Sequence, residues 1–302
     1  MTSETPPENS ALFPGSRPSR WSNLDRPPLN GAALRQALTN IDGGLYCDIE
    51  VVESTGSTNS DLAALALADD ASEGAVHVAE QQTSGRGRLD RTWTAPARSG
   101  LFFSVLLEPS KVPVHRLGWL PLLAGVATAT AISRTVGIDT ALKWPNDLLV
   151  TVDGEERKAG GILAERAGER FVVLGIGINV SLGEDELPVP TAGSLALTGA
   201  RALDRGPLLR AVLRSLEQWY VPWRDALGDP AASGLQEAYA AGCATLGRRV
   251  RAELPGERTL VGEAVALDGD GRLVIAVDGG GREAVGAGDV VHLRAASETE
   301  SD

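Results

Sequence analysis

Residues 143–180 read KWPNDLLVTVDGEERKAGGILAERAGERFVVLGIGINV, and the punctuation of this stretch decides the fold. Residues 148–152 are a run of β-formers, Asp153-Gly154 is a hairpin turn, residues 158–165 return, Ala167-Gly168 turns again, and residues 171–180 run back a third time. Three consecutive antiparallel strands bring residues distant in sequence side by side. In the third, period two puts Leu174, Ile176, Ile178 and Val180 on one face and Gly175, Gly177 and Asn179 on the other. The first face fills a core. The second leaves space for a flat ligand ending at an amide, unless its glycines only mark β-bulges. The strand before it repeats the theme, with Lys158 followed by Gly160 and Gly161. Ahead of both, Pro145 restricts Trp144 to extended backbone and makes a rigid approach that aims Lys143, Asn146 and Asp147. A structural turn with a capping Asn or Asp explains that segment equally well.

Working outward, residues 1–43 begin with six prolines in the first 28 positions and read as a disordered or weakly structured extension with one short helix over 31–40. A strand follows over 45–53, and Thr58 is expected to cap a helix running through Leu62, Leu65 and Ala68, with Asp61 favouring its N-terminus. Residues 76–80 form a strand that runs into a polar loop over 81–100, residues 101–107 a buried strand, and residues 114–136 a long helix. Residues 183–199 are loop, and 206–227 and 233–241 are helical. From Gly247 the texture changes to short β runs over 249–253, 260–267, 273–277 and 289–294, the rhythm of a small barrel, before an acidic tail over 296–302.

Composition removes several classes of function. The 28 basic side chains are 25 arginines and only Lys111, Lys143 and Lys158, none of which follows the glycine that a Walker phosphate loop requires. The kinase Val-Ala-Ile-Lys signature and the Gly-x-Ser-x-Gly elbow of the α/β-hydrolases are absent. A net charge of −12 argues against general affinity for nucleic acid or anionic membrane. The most apolar stretch, 117–132, is interrupted by Gly118, Pro121 and Gly125, and the N-terminus lacks a secretory signal, so a cytoplasmic protein is expected. Cys47 and Cys243 form no ligand pair, and His77, His115 and His292 show no pattern, so no metal site is expected within the chain.

Gly85-Arg-Gly-Arg-Leu-Asp-Arg-Thr-Trp93 superficially suggests a dinucleotide fingerprint, but Asp90 holds its third glycine position and the segment runs to Pro96 without opening a helix. Four arginines, 86, 88, 91 and 98, make it a flexible cationic loop on an acidic protein. Glycines that let backbone approach a ligand, paired with guanidinium forks, suit phosphate or carboxylate. A solvated arginine-rich turn is the alternative.

Ser57-Thr58-Asn59, the Gly85-Arg-Gly-Arg loop, Lys143-Trp-Pro-Asn-Asp147, Lys158-Ala-Gly-Gly-Ile-Leu and Gly175-Ile-Gly-Ile-Asn179 together resemble, in order and spacing, the biotin protein ligases over residues 49–294. The resemblance implies an α+β fold of the class II aminoacyl-tRNA synthetase/biotin-ligase type, a mixed β-sheet flanked by helices. It places a catalytic domain over 44–244 and a small SH3-like β-barrel over 245–295. It implies formation of biotinyl-5′-AMP from biotin and ATP with Mg²⁺, then transfer of biotin to one lysine of a biotin carboxyl carrier domain. By the same resemblance Ser57, Thr58, Asn59, Gln82, Arg86, Gly87, Arg88, Lys158 and Gly161 surround biotin. Arg88, Arg91, Trp93, Lys143, Asn146, Asp147, Lys158, Asn179 and Arg294 face the nucleotide. Arg88 and Lys158 would supply positive charge to the transition state, and Asp147 would take or orient the acceptor lysine's proton. Asp90 departs from the family's usual glycine, and the winged-helix domain of the operon-repressing members is absent, so an enzyme without DNA binding is expected, a monomer or weak homodimer. The rivals are a lipoate- or octanoyl-transferring protein of related fold and a biotin-sensing regulator without turnover.

Overall fold

The computed structural model describes residues 26–39, 41–89, 91–200, 202–254, 258–286 and 289–292. In chain order these form α1 (Gly31–Leu38), β1 (Asp48–Val52), α2 (Thr58–Leu67), β2 (Ala75–Ala79), β3 (Gly85–Arg86), β4 (Thr92–Trp93), β5 (Gly100–Leu107), α3 (Trp119–Val136), β6 (Ala141–Lys143), β7 (Asp147–Val152), β8 (Glu155–Ala167) and β9 (Phe171–Asn179). There follow α4 (Arg205–Asp225), α5 (Leu235–Gly242), β10 (Arg249–Leu254), β11 (Arg258–Leu267), β12 (Leu273–Val277), β13 (Arg282–Val285) and β14 (Asp289–His292). The three hairpin-linked strands of the sequence are β7, β8 and β9, and they sit inside a seven-stranded sheet of order β1-β2-β5-β9-β8-β7-β6. Only β1 and β2 pair in parallel, so the sheet is mixed.

The period-two pattern of β9 assigns the layers. Leu174, Ile176, Ile178 and Val180 join the main core with α3, whose Leu120, Leu123, Ala127 and Ala131 are buried, and with Leu209, Val212 and Leu216 of α4. On the opposite face Phe171 and Val173 pack with Leu62 and Ala66 of α2. Beyond the N-terminus of α2 that face is left to Gly175, Gly177 and Asn179. β10 to β14 form a separate five-stranded antiparallel sheet, SH3-like, around Val250, Ala264, Leu273 and Ile275. Two tryptophans tie it to the large sheet: the indoles of Trp119 and Trp144 donate to the carbonyls of Gly269 at 2.9 Å and Gly271 at 3.0 Å, in the turn between β11 and β12.

Several expectations are corrected. Of the two readings of residues 143–147 the turn is the one present: β6, unread in the sequence, pairs back onto β7 with Lys143 opposite Asp147, and the Trp144–Pro145 bond within the turn is cis. Ser57, in extended conformation, takes the cap position of α2 without a side-chain bond, while Thr58 is the first helical residue and its hydroxyl is used elsewhere. The segment 81–100 is not open loop, because β3 and β4 pair within it. A 3-10 turn over Val114–Gly118 precedes α3, and β13 is an additional barrel strand.

The helix expected near the N-terminus is present and firmly seated, with Leu34 and Leu38 buried. The segment leading into it is pinned by Arg205, which donates to the carbonyl of Pro27 at 2.6 Å and pairs with Glu80 at 2.6 Å, both partners 5% exposed. Residues 1–25, Asp90, Arg294 and the acidic tail lie outside the described residues. Among the described residues no helix is long and apolar enough to cross a membrane.

Candidate functional site

The bare face of β9 forms the floor of a cavity of about 650 Å³. Its geometry follows from the register of three strands: Ser104 of β5, Gly175 of β9 and Leu163 of β8 lie in one row, and Phe102, Gly177 and Gly161 in the next. Both glycine positions are occupied from above. A Cβ on Gly175 would stand 2.1 Å from Asn59 Oδ1, and one on Gly177 or Gly161 would stand 3.1 Å from the Trp93 indole. The face therefore accommodates a flat group, as its composition implied, and Trp93 supplies one from the protein itself.

A β-bulge explains how Lys158 reaches this face. Leu148 pairs with Gly160 and Leu149 with Lys158, so Ala159 is the extra residue. In a regular strand Lys158 would share a face with Gly160; with the bulge the ammonium turns toward Gly161, whose missing Cβ lies 3.4 Å from Lys158 Cε. There Lys158 Nζ pairs with Asp147 Oδ1 at 2.5 Å and stands 5.6 Å from the centroid of the Trp93 ring. The bulge falls at Ala159 of β8, whereas Gly175 and Gly177 of β9 pair in unbroken register on both sides, so the β9 glycines do not mark bulges.

The arginine hairpin covers the cavity. Gly87 donates to the Arg91 carbonyl at 2.7 Å, and the tip turns through Leu89 at φ +54°. Arg88 donates to Asn146 Oδ1 at 3.4 Å. Asn146 in turn donates to the Ile162 carbonyl at 2.9 Å, which anchors the hairpin turn of β6 and β7 to the bulged strand. Asn179 donates to the Gly193 carbonyl at 2.9 Å and so holds the loop over 188–193 against the cavity rim.

At the other end, Gln82 Oε1 accepts from Thr58 N at 2.9 Å and from the Thr58 hydroxyl at 3.2 Å. Ser104 Oγ lies 2.8 Å from Thr58 Oγ1 and 2.6 Å from Asn59 Oδ1. This network is buried but polar, which is costly unless a polar ligand or its own members satisfy it.

All fifteen described residues that the resemblance assigned to biotin or nucleotide line this one cavity: Ser57, Thr58, Asn59, Gln82, Arg86, Gly87, Arg88, Arg91, Trp93, Lys143, Asn146, Asp147, Lys158, Gly161 and Asn179; Arg98 of the same loop instead faces Glu53 at 3.8 Å. Three contributors were not foreseen. Ser104 completes the polar network, and a serine inside the apolar run of β5 was its available signal. Glu165 holds Arg86 and Asn59, each at 2.8 Å. Val290 of β14 brings the barrel into the wall, and nothing in its sequence context signals that.

The electrostatics point one way. The described lining carries Arg86, Arg88, Arg91, Lys143 and Lys158 against the single carboxylate of Asp147, on a chain of net charge −12. Such a concentration of one sign in a concave site selects an anion. Beside it, His292 bonds Thr245 at 3.0 Å and Arg248 at 3.2 Å. Burial first, then the charges of Lys143 and Arg248, hold its pKa down at about 4, so it is a neutral joint between barrel and sheet. Among the described residues no group of three His, Cys, Asp or Glu could hold a metal ion.

Comparison with known proteins agrees with the fold. The biotin/lipoate A/B protein ligase family matches residues 51–181, and the biotin protein ligase C-terminal domain matches residues 245–293. A biotin--[acetyl-CoA-carboxylase] ligase of Mycobacterium tuberculosis is 43% identical over 272 residues, 89% of this chain and 97% of the relative. The bifunctional ligase/repressor BirA of Bacillus subtilis is 34% identical over 241 residues, 76% of this chain and 69% of the relative. A solved biotin protein ligase from Aquifex aeolicus in complex with biotin and ATP superposes with a TM-score of 0.68 at 28% identity, over 83% of this chain and 100% of that one. With the mixed sheet, the SH3-like sheet and the cationic cavity all in place, this chain belongs to the biotin protein ligase family.

Proposed function

We propose that the chain joins biotin and ATP into biotinyl-5′-AMP with release of pyrophosphate, and passes the biotinyl group to one lysine of the biotin carboxyl carrier domain of a biotin-dependent carboxylase. The observation that carries this reading is one cavity whose described lining combines five cations with an uncharged, internally bonded polar wall. Attack of a carboxylate on an α-phosphate brings two anions together, so the site must supply fixed positive charge where negative charge accumulates. A ureido ring is neutral and needs donors and acceptors instead, which Ser57, Thr58, Asn59 and Gln82 offer.

In this reading Lys158 leaves its contact with Asp147 for the reacting carboxylate and phosphate, and Arg88, released from Asn146, closes on the same oxygens. Trp93 supports the adenine. Lys143, Arg91, Asn146 and Asn179 face the phosphates and ribose, with Arg294 as a further candidate. Once Lys158 has moved, Asp147 is available to take the proton from the acceptor ammonium, which cannot attack while charged. Mg²⁺ would arrive with the nucleotide, held by phosphate oxygens and by Asp147 or the Asn146 and Asn179 amides, and would neutralise phosphate charge. A site offering one carboxylate and two amides fits a cation that commonly takes most of its ligands from phosphate and water.

The catalytic unit is assigned to 44–244 and the SH3-like unit to 245–295; the sheet of the latter opening at Arg249 supports that boundary. Acidic charge argues against nucleic acid as a partner, and two unpaired cysteines suit the cytoplasm. The test is to incubate the chain with ATP, Mg²⁺ and a carrier domain, offer biotin or lipoate, and follow acceptor mass. Biotinyl transfer is expected. Lipoyl transfer alone would overturn the reading, and biotin binding without any mass change would make the chain a sensor.

A further inference from the structure

We infer that Glu165 is a positioning residue that fixes the direction of the hydrogen bonds in the wall facing the ureido ring, and thereby sets the preference for biotin over carboxylic acids lacking that ring. The inference rests on the ligase reading above. Glu165 does not line the cavity; it lines the groove behind the hairpin of β3 and β4, so it acts through other groups. Its Oε2 accepts from Arg86 Nη2 at 2.8 Å and from Asn59 Nδ2 at 2.8 Å. One carboxylate oxygen on β8 therefore joins the arginine hairpin to the first turn of α2.

The consequence runs inward through protons that can be counted. An ionised carboxylate only accepts, so the Asn59 NH₂ must face Glu165, and the Leu163 carbonyl 3.3 Å from the same nitrogen reinforces this. Asn59 Oδ1 is then turned to Ser104, whose single hydroxyl proton it takes at 2.6 Å. Ser104 has no second proton to give to Thr58, 2.8 Å away, so it takes neither lone pair of the Thr58 oxygen. Gln82 Oε1, already accepting from Thr58, keeps its NH₂ outward. The wall thus offers an acceptor and a donor in fixed places, which suits a ring with N–H donors and a carbonyl acceptor. Removing the charge at 165 allows the Asn59 amide to reverse. Ser104 then donates into Thr58 and occupies one of its two acceptor lone pairs, which weakens its hold on an incoming N–H.

The test uses Glu165→Met, which removes both hydrogen bonds at similar volume, and Glu165→Gln, which keeps an acceptor for Asn59 but loses the charge pairing Arg86. In Glu165→Met the KM for biotin in adenylate formation should rise by about ten- to a hundredfold, the scale of a lost charge-assisted bond. The KM for ATP and kcat should stay within about threefold, and Glu165→Gln should fall between Met and wild type. Inhibition by octanoate, an acid without the ureido ring, should be unchanged. A purely structural role would move kcat, both KM values and octanoate inhibition together, and that result overturns the inference, as does an unchanged biotin KM in both variants. Should the Met variant not fold, Glu165→Gln decides by the same criteria. Failure of the ligase reading itself is recognised separately, by absence of biotinyl-5′-AMP with the unsubstituted chain, and removes the inference with it.

Discussion

Gly175→Ala is a small perturbation with a consequence that the geometry quantifies. The added methyl would lie 2.1 Å from Asn59 Oδ1 and 2.8 Å from its Cγ, and contacts under 3.0 Å do not persist. Gly175 does not have a positive φ, so alanine fits the backbone, and strand propensity favours it slightly; the cost falls on Asn59. The amide must retreat by roughly 0.9 Å, which stretches the 2.6 Å contact with Ser104 to about 3.5 Å and breaks it. The bond to Glu165 shifts with it. One neutral and one charge-assisted hydrogen bond together contribute roughly 2–4 kcal/mol, equivalent to about a thirtyfold to several-hundredfold change in affinity if expressed wholly in biotin binding. Gly177→Ala is the control, because its methyl meets the Trp93 ring at 3.1–3.3 Å and needs a yield of only a few tenths of an ångström. Titration of biotin by calorimetry should show a large loss for Gly175→Ala and a change under about threefold for Gly177→Ala. Equal affinities for Gly175→Ala and wild type would refute the placement of Asn59 in the biotin wall.

Other outcomes follow from the same geometry. Lys158→Ala should slow adenylate formation by about a hundred- to a thousandfold, read as pyrophosphate release. Lys158→Arg should recover little, because a planar fork does not fit between Asp147 and the bare backbone of Gly161. Arg205→Met should destabilise the fold by about 3–5 kcal/mol in urea unfolding, since it leaves Glu80 buried without its cation. His292 has a folded pKa of about 4 against an ordinary 6.5, so its contribution to stability is complete above pH 6.5 and is lost as pH falls from 6.5 toward 4. The melting temperature of His292→Gln should therefore fall less steeply over that interval than that of wild type; parallel profiles would contradict the assignment.

Much of this was legible in the sequence for an identifiable reason. The hairpin turns at Asp153-Gly154 and at 168–170, the second one residue beyond the expected Ala167-Gly168, fix the register of β7, β8 and β9, and period two then separates core from ligand face. The same arithmetic could not reveal that Ala159 is a bulge, because a one-residue insertion is defined by the partner strand, and so it could not show why Lys158 and Gly161 share a face. β6 was hidden because it is three residues long and takes its shape from β7. Nothing local distinguishes Glu165 and Arg205, because their partners, Asn59 and Arg86 for one and Glu80 for the other, are brought from more than a hundred or from 79 residues away. Ser104 was the missed opportunity, a hydroxyl inside a strand that is otherwise apolar.

The central claim is that one cavity makes an activated biotin and hands it on. A pulse–chase measures this directly: the chain is mixed with biotin, Mg²⁺ and ATP labelled at the α-phosphate, freed of unreacted ATP by rapid desalting, and chased with carrier domain. The account predicts labelled biotinyl-5′-AMP retained on the protein, then released as AMP in equal amount to the biotinyl-lysine formed. Biotinylated carrier without a retained adenylate, or adenylate that the carrier does not discharge, would contradict it.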